Sequence, residues 1–258
     1  KGLDVLGCPT VIATANDPSL RAPHLAQVLE RGRFDALFLA DVVGIYDIYR
    51  NSAAPSIAGG AQVPVNDPFM QISAMAAVTK NLGFGVTSAV TYEQPYTLAR
   101  KYATLDHLTR GRVGFNVVTS YLPSAAENQG LPRQIEHDTR YEIAEEFLDV
   151  CYKLWEGSWE EDAVVQNRET GVYADPTKVH PIRHSGEHFA VPGAGLTAPS
   201  PQRTPLIFQA GAGPEIKDYF LGDLVPAPLV ARLRELMRER QDESMRILSG
   251  WIGQKEEA

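Results

Sequence analysis

Hydrophobic positions along the chain fall into two patterns that alternate. Short, nearly continuous apolar runs are separated by longer segments in which apolar residues recur every three or four positions. The short runs predict buried strands of a parallel sheet, and the helically spaced segments predict the helices that cover it. We predict strands at residues 34–42, 84–92, 113–118 and 205–213.

Capping residues mark where the helices between these strands begin. Asn66 or Asp67 is expected to cap a helix that starts with proline, and Thr139 with Glu142 forms a capping box at the start of a later helix. A helix between the second and third strands has one apolar face, made of Leu98, Tyr102, Leu105 and Leu108. Alternating strands and helices of this kind predict an α/β fold.

The length of the chain, 258 residues, suits one (β/α)8 barrel, which needs about 250 residues. An open parallel sheet remains an alternative on the pattern alone. Fewer than eight strands are visible, because the sequence after Gly213 is charged and helical in pattern, so segments there are either missing or joined. We predict a single domain over residues 1–258, with a polar excursion outside the barrel at about residues 156–204.

Composition and charge argue against several classes of partner. The formal net charge is −8 and the pI is about 5.3, and no run of lysine and arginine suggests a nucleic-acid surface. No apolar run reaches membrane-spanning length, and the first residues lack the pattern of a signal peptide. The sequence therefore predicts no nucleic-acid or membrane partner, and we expect the protein in the cytoplasm.

Cysteine and histidine spacing argues against a metal centre. The two cysteines, Cys8 and Cys151, are too few and too far apart for a disulfide framework or a zinc site, which favours a reducing compartment. His180, His184 and His188 stand four residues apart, but a proline and a glycine between them interrupt any helix. We therefore predict no metal site.

Small polar residues stand where the predicted strands end. They are Asp41 at the end of the first strand, Thr91 at the end of the second, Asn116 and Thr119 on the third, and Gln209, Gly211 and Gly213 at the end of the fourth. The carboxyl ends of parallel strands are where α/β folds bind ligands. Neutral hydrogen-bonding groups suit a planar heterocycle better than a divalent metal. Alternatively, these side chains cap helices or satisfy loop backbone.

The helix predicted near Thr139 offers a binding place for a phosphate. Backbone N–H groups at a helix start attract anions, and His137, Arg140 and Tyr141 lie in the same stretch. The alternative interpretation is a surface histidine beside a core tyrosine.

Five ordered segments carry a family resemblance. They are FDALFLADVVGIYDIYR, LARKYATLDHLTRGRVGFNVVTS, EHDTRYEIAEEFLDVCYKLWEGSWEEDAV, ADPTKVHPIRHSGEHFAVPG and SPQRTPLIFQAGAG. Through them the sequence resembles the bacterial luciferase-like flavin monooxygenases over roughly residues 25–213. The nearest branch holds the nitrilotriacetate, dibenzothiophene sulfone and long-chain alkane monooxygenases. These motifs are long and occur in order, which makes them far more specific than a short pattern.

The resemblance implies a (β/α)8 barrel of the luciferase-like type that uses reduced FMN and O2. A separate NAD(P)H:flavin reductase would supply the FMNH2. One oxygen atom would enter a small organic substrate, either alkane-like or a sulfur or amine compound. The resemblance also implies a homo-oligomer, either a dimer or a tetramer. A flavin-binding homologue without turnover is one alternative, and a metal-dependent barrel hydrolase is another.

The resemblance also implies which positions bind the cofactor. Eight are implied to contact the flavin: Asp41, Thr91, Asn116, Thr119, His137, Tyr141, Gly211 and Gly213. Among them, His137 and Tyr141 are similar to a pair near the FMN phosphate. The two glycines belong to a loop that closes over the phosphate and the ribityl chain. The family usually has serine where Gly213 stands, which removes a hydroxyl from that loop.

Four further positions are implied on the catalytic and substrate side: Cys8, Tyr46, Gln62 and Tyr121. Tyr46 and Gln62 match positions proposed for the substrate side of the alkane-oxidising enzyme. Tyr121 stands where that enzyme has histidine, and Cys8 corresponds to a cysteine at the end of the first barrel strand of the family, ahead of the four strands predicted here. The substrate contacts of this chain are therefore expected to differ from those of the alkane-oxidising enzyme.

Overall fold

A computed structural model describes residues 22–209 of the chain. The chain divides into two compact units, residues 1–210 and 211–258, and every described residue belongs to the first. The predicted helical segment after Gly213 lies outside the described residues, and the single-domain organisation stays a prediction.

The described residues form six α-helices and eight strands. The helices are α1 (Ala22–Arg31), α2 (Ala54–Gly59), α3 (Pro68–Ala76), α4 (Pro95–Thr109), α5 (Pro123–Asn128) and α6 (His137–Gly157). The strands are β1 (Ala36–Leu39), β2 (Gly83–Ala89), β3 (Val113–Val118), β4 (Val164–Asn167), β5 (Val172–Ala174), β6 (His184–Ser185), β7 (Ala190–Val191) and β8 (Leu206–Phe208).

Four of the strands form one parallel sheet in the order β1-β2-β3-β8. Each overlaps one of the four predicted runs, and β3 matches its run residue for residue. The register places Thr87 of β2 opposite Asn116 of β3, and Asn116 opposite Phe208 of β8. Three neighbouring strands therefore end side by side at one edge of the sheet, which we call the rim.

The helices cover the outer face of this sheet, and Tyr102 of α4 is central to the core. Its ring centroid lies 4.3 Å from that of Phe115 and 5.2 Å from that of Phe69. Its hydroxyl donates to the carbonyl of Val86 at 3.0 Å, which gives a buried phenol the partner it needs. Cys151 of α6 is fully buried, as predicted for a small core hydrophobe.

Two details of the predicted helices were wrong. Leu108 is 54% exposed, because the buried stripe of α4 ends on Thr109 instead. The capping box at Thr139 does not form: α6 begins at His137, and Glu136 is its N-cap residue. The backbone N–H of Arg140 donates to the carbonyl of Glu136 at 3.1 Å, so the helical bonds start earlier than the sequence pattern predicted.

On the inner face of the sheet, near the amino ends of β2 and β3, an aromatic ring packs directly on two glycines. The ring of Phe208 lies over Gly85 and Gly114, where an added methyl group would come within 2.7 and 3.0 Å of it. Phe38 packs against the same ring, with the centroids 5.9 Å apart. A cavity of about 360 Å³ opens here beside Arg112. Because ligands of parallel sheets bind at the carboxyl ends, we do not assign the functional site to this cavity.

The segment predicted as an excursion contains two small antiparallel pairs, β4–β5 and β6–β7. Glu146 of α6 holds the second pair: it accepts from the backbone N–H groups of His188 and Phe189 at 2.8 Å each, and pairs with His184 Nε2 at 3.0 Å. Burial raises the pKa of Glu146, but the hydrogen bonds from His184 and the two amides outweigh it and bring the pKa to about 2. A side chain at Gly186 would collide with this carboxylate. Glu146 therefore holds the β6–β7 pair against α6.

Candidate functional site

Asn116 lies at the centre of the rim. It is 2% exposed, and its Nδ2 donates to Thr87 Oγ1 on the neighbouring strand at 2.9 Å. Its Oδ1 is buried and has no hydrogen-bond partner within residues 22–209. A buried polar atom left unpaired costs about 1–3 kcal/mol, and such atoms are rare in native proteins. We therefore expect a group from outside the described residues to pair with Asn116.

Gln209, which follows β8 directly, presents the same feature. Its Oε1 is also buried without a hydrogen-bond partner in the part of the chain that the structure describes. Because β8 pairs with β3, Gln209 directly follows the strand that lies next to that of Asn116. The only sequence signal for Gln209 is its place directly after a strand, which alone does not single it out.

Thr91 and Thr119 meet in the loops that follow β2 and β3. The Thr91 hydroxyl donates to the backbone carbonyl of Thr119 at 2.7 Å, and Thr119 is buried. The Thr91 hydroxyl therefore satisfies loop backbone, which is the alternative that the sequence left open. Contact of either residue with a ligand stays a prediction.

Asp41 stands two residues beyond the end of β1 and is partly buried. Burial raises the pKa of its carboxyl, the carboxylates of Asp67 and Glu93 raise it further, and the backbone N–H of Val42 partly opposes them. Such a carboxyl keeps its proton to a higher pH than a free aspartate does. Contact of Asp41 with the flavin stays a prediction.

The start of α6 brings together the residues predicted for a phosphate. The rings of His137 and Tyr141 face each other with their centroids 4.9 Å apart, and His137 Nδ1 lies 2.7 Å from an Asp138 carboxylate oxygen. Arg140 is buried, and one of its terminal nitrogens donates to the carbonyl of Ile135. Its Nε has no hydrogen-bond partner among residues 22–209. The His137 side chain is 71% exposed, as the surface-histidine alternative expects, so the buried Arg140 with its spare donor is the stronger indication of an anion site here.

Tyr46, Gln62 and Tyr121 come together although each stands in a different loop. Burial raises the pKa of the Tyr46 hydroxyl, hydrogen bonding with Tyr121 raises it further, and hydrogen bonding with Gln62 lowers it. Gln62 has a φ of 52°, and Ser120, next to Tyr121, has a φ of 56°. Non-glycine residues in this region are uncommon and collect at functional sites. The structure thus groups the three described residues that were predicted for the substrate side.

Three predicted site residues, Cys8, Gly211 and Gly213, lie outside the described residues. Within residues 22–209, no cluster of histidine, cysteine, aspartate and glutamate side chains could hold a metal ion. Over that same part of the chain, none of the helices combines the length and the apolar character needed to span a membrane.

Comparison with known proteins identifies the family. A family model described as luciferase-like monooxygenase matches residues 8–243. The chain belongs to this family. The family predicted from the five sequence segments is therefore confirmed.

Two relatives within the luciferase-like family are similar over most of this chain. Long-chain alkane monooxygenase from Geobacillus thermodenitrificans (strain NG80-2) is 60% identical over 196 residues, covering 76% of this chain and 44% of that protein. Dimethyl-sulfide monooxygenase from Hyphomicrobium sulfonivorans is 62% identical over 189 residues, covering 73% and 39%. This chain therefore spans less than half the length of these two relatives.

Solved structures agree with the family. A crystal structure of a long-chain alkane monooxygenase matches with a TM-score of 0.74 and 59% identity, covering 76% of this chain and 45% of that one. A riboflavin lyase, solved with modified FMN and riboflavin, matches with a TM-score of 0.71 and 41% identity, covering 76% and 44%. The predicted luciferase-like (β/α)8 fold class is confirmed, and the described residues contribute four adjacent parallel strands to it.

Proposed function

We propose that this chain belongs to a two-component monooxygenase that uses FMNH2 and O2 to insert one oxygen atom into an organic substrate. The observation that carries the proposal is the buried, unpaired Oδ1 of Asn116 at the rim of a parallel sheet. Parallel barrels bind their ligands at this edge of the sheet, where a ligand can supply the missing hydrogen bond.

The rim fits the ring of a flavin. An isoalloxazine carries N–H and C=O groups along its edge, and amide side chains such as Asn116 and Gln209 offer both acceptors and donors. Their buried, unpaired oxygens are suited to ring N–H groups. The riboflavin lyase relative was solved with modified FMN, which supports the same cofactor for this chain.

The start of α6 fits the phosphate of FMN. The free N–H groups of a first helical turn favour an anion, and this turn carries His137 together with buried Arg140. The unpaired Nε of Arg140 leaves a charged donor unused within the described residues. We propose that His137, Arg140 and Tyr141 hold the phosphate end of the cofactor.

When bound, FMNH2 supplies the electrons that activate O2, and the protein's own residues prepare the site for it. Asn116 orients the ring through its amide, and Asp41 holds or releases a proton at its carboxyl because its pKa is raised. Tyr46 and Tyr121 line the substrate side with hydroxyl groups. The hydrogen bond from Thr91 to the carbonyl of Thr119 fixes the two loops that follow β2 and β3. The side chains of the site are therefore oriented before the substrate arrives.

For substrate and partners, we propose a small apolar or sulfur-containing compound, O2 and a separate NAD(P)H:flavin reductase. The similarity to proteins named as alkane and dimethyl-sulfide monooxygenases supports this substrate class. Tyr121 adds a hydroxyl to the substrate side and favours a substrate with a hydrogen-bond acceptor, such as an oxidised sulfur compound. A homo-oligomer in the cytoplasm is part of the same proposal.

The test has two stages. FMN and FMNH2 are first titrated against the protein anaerobically, and tighter binding of the reduced form is expected. The protein is then supplied with a flavin reductase, NAD(P)H and a panel of alkanes, sulfides, sulfones and aminopolycarboxylates, while O2 uptake and oxygenated product are measured together. FMN binding without any product would identify a flavin-binding homologue that does not turn over, and no binding of either form would refute the proposal.

A further inference from the structure

Gly44 and Ser124 hold the loop that carries Tyr46. We propose that these two are positioning residues, which fix the Tyr46 hydroxyl against Tyr121 and thereby shape the substrate side of the site. The inference rests on the proposed function, because the substrate role of Tyr46 belongs to it. Its structural basis, however, is a set of hydrogen bonds and a close backbone approach that are independent of any ligand.

The first part of this contact is a pair of hydrogen bonds from α5. Ser124 Oγ donates to the backbone carbonyl of Ile45 at 2.8 Å, and Asn128 Nδ2 donates to the carbonyl of Val43 at 3.3 Å. The two acceptors lie on either side of Gly44. Because α5 begins two residues after Tyr121, these bonds tie the loop of Tyr46 to the loop of Tyr121.

The second part is the absence of a side chain at Gly44. A methyl group there would lie 2.6 Å from the backbone nitrogen of Ala125 and 2.7 Å from Ser124 Oγ. The nitrogen belongs to the backbone of α5 and cannot rotate away as a side chain would. Glycine therefore permits a close contact between the loop and α5 that an alanine would push apart.

A third bond holds the loop from its other side. Ser56 Oγ of α2 donates to the backbone carbonyl of Tyr46 at 2.7 Å. The carbonyls of Val43, Ile45 and Tyr46 are thus each bonded to a side chain from α2 or α5. The loop has no regular secondary structure at these positions, so these bonds determine its path.

The flavin-side groups do not depend on this contact. Asn116 lies within β3 and His137 at the start of α6, and neither shares a hydrogen bond with residues 43–46 in the described structure. Loosening the contact should therefore change how substrate binds and reacts while leaving FMN affinity in place. This separation distinguishes a positioning role from a general loss of structure.

The experiment compares Ser124→Ala, Ser124→Thr and the matched control Ser73→Ala. Ser73 makes a similar hydroxyl-to-carbonyl bond, to Phe69 at 3.0 Å, but within α3. Reductase-coupled kcat and KM are measured with the best substrate from the panel, FMN affinity by fluorescence titration, and amide hydrogen exchange over residues 43–48 by mass spectrometry.

We expect Ser124→Ala to lower kcat/KM by about five-fold, the size of one lost hydrogen bond, and to speed exchange over residues 43–48. Ser124→Thr keeps the hydroxyl and should restore both, and Ser73→Ala should change neither. FMN affinity should stay the same in all three. Gly44→Ala should give a larger loss of kcat/KM than Ser124→Ala, because it forces the backbones apart.

Unchanged kcat/KM and unchanged exchange in Ser124→Ala would overturn the positioning role while the proposed function stands. Loss of FMN affinity in step with kcat/KM would also overturn it, since the effect would then be general. If the wild type neither binds FMN nor oxidises any compound, the proposed function fails, and the positioning role fails with it. Faster exchange in Ser124→Ala would then report only a structural contact.

Discussion

Replacing Asn116 with leucine should weaken flavin binding at almost no cost in stability. For most buried, hydrogen-bonded asparagines the same change is strongly destabilising. Asn116 differs, because one of its two polar atoms donates to Thr87 at 2.9 Å while the other is buried without a partner in the described residues. Leucine has nearly the same shape and brings no polar atom.

The magnitude follows from these two atoms. Losing the bond to Thr87 costs about 1 kcal/mol, plus a desolvation penalty if the Thr87 hydroxyl stays buried and unpaired. Removing the unpaired Oδ1 returns about 1–3 kcal/mol. The two terms nearly cancel, so we expect the free energy of unfolding to change by less than about 1 kcal/mol. The double variant Thr87→Val with Asn116→Leu should be more stable than either single variant.

The affinity for flavin, unlike the stability, should fall clearly in Asn116→Leu. A ring N–H that loses its acceptor inside a closed site costs about 1–3 kcal/mol, which raises the Kd for FMNH2 by roughly ten-fold or more. The assay combines urea unfolding in the absence of FMN with anaerobic flavin titration. Asn167→Ala is the control: it removes an exposed turn acceptor for the N–H groups of Glu169 and Thr170, and should lower stability without changing flavin affinity.

The reasoning is refuted if Asn116→Leu loses several kcal/mol of stability and keeps its affinity for FMNH2. Asn116 would then be a structural residue whose Oδ1 is paired within the intact protein. Unchanged stability together with unchanged affinity would mean that a different group of the rim meets the flavin.

Three further predictions concern charged groups. His137→Ala should raise the Kd for FMNH2 by about five-fold while barely changing Tm, because the His137 side chain is 71% exposed; an equal loss of both would make it structural. Asp41→Asn should raise Tm at neutral pH but lower turnover, because a carboxyl whose folded pKa is raised loses stability as pH rises through that pKa; a lower Tm would contradict this. Glu146 has a folded pKa of about 2 against an ordinary 4.5, so its stabilisation is present above pH 4.5 and is lost as pH falls towards 2. Acid unfolding of Glu146→Gln should therefore depend less on pH in that window than that of the wild type or of exposed Glu145→Gln.

The sequence predicted the elements of this fold better than their ends. Continuous apolar runs located all four strands of the parallel sheet, and Asp67 caps α3 as expected, accepting from the N–H of Phe69 at 2.8 Å. The run ending at Tyr92 was predicted too long, because β2 ends at Ala89 and the chain then turns. Turns at strand ends depend on the neighbouring loops, which local sequence does not describe.

The residues of the candidate site also differ in how far they could be predicted from the sequence. Residues next to regular elements, such as Asn116 and His137, could be found because the strand ends and the helix start are visible in the sequence. The grouping of Tyr46 with Gln62 could not be derived from the pattern, since both lie in loops and only the resemblance pointed to them. The sequence placed Arg140 beside the predicted phosphate site, but its buried and unpaired Nε depends on three-dimensional surroundings and could not be predicted.

The two ends of the sheet differ in a way that supports the assignment of the rim. At the amino end, Arg112 donates from Nε to the carbonyl of Thr109 at 2.7 Å and from a terminal nitrogen to that of Leu82 at 2.6 Å. There too, fully buried Asp106 accepts twice from Gln202, at 2.8 Å from the backbone and 2.6 Å from the side chain.

The protein itself thus supplies hydrogen-bond partners to both of these charged groups, Arg112 and Asp106. At the carboxyl end, the neutral amides of Asn116 and Gln209 keep a buried oxygen unpaired within residues 22–209. The same chain gives a buried carboxylate all of its hydrogen-bond partners, so the unpaired amides at the opposite end are best explained by a partner that residues 22–209 do not supply. In a barrel, the saturated end serves stability and the open end serves binding, and the flavin proposal requires this arrangement.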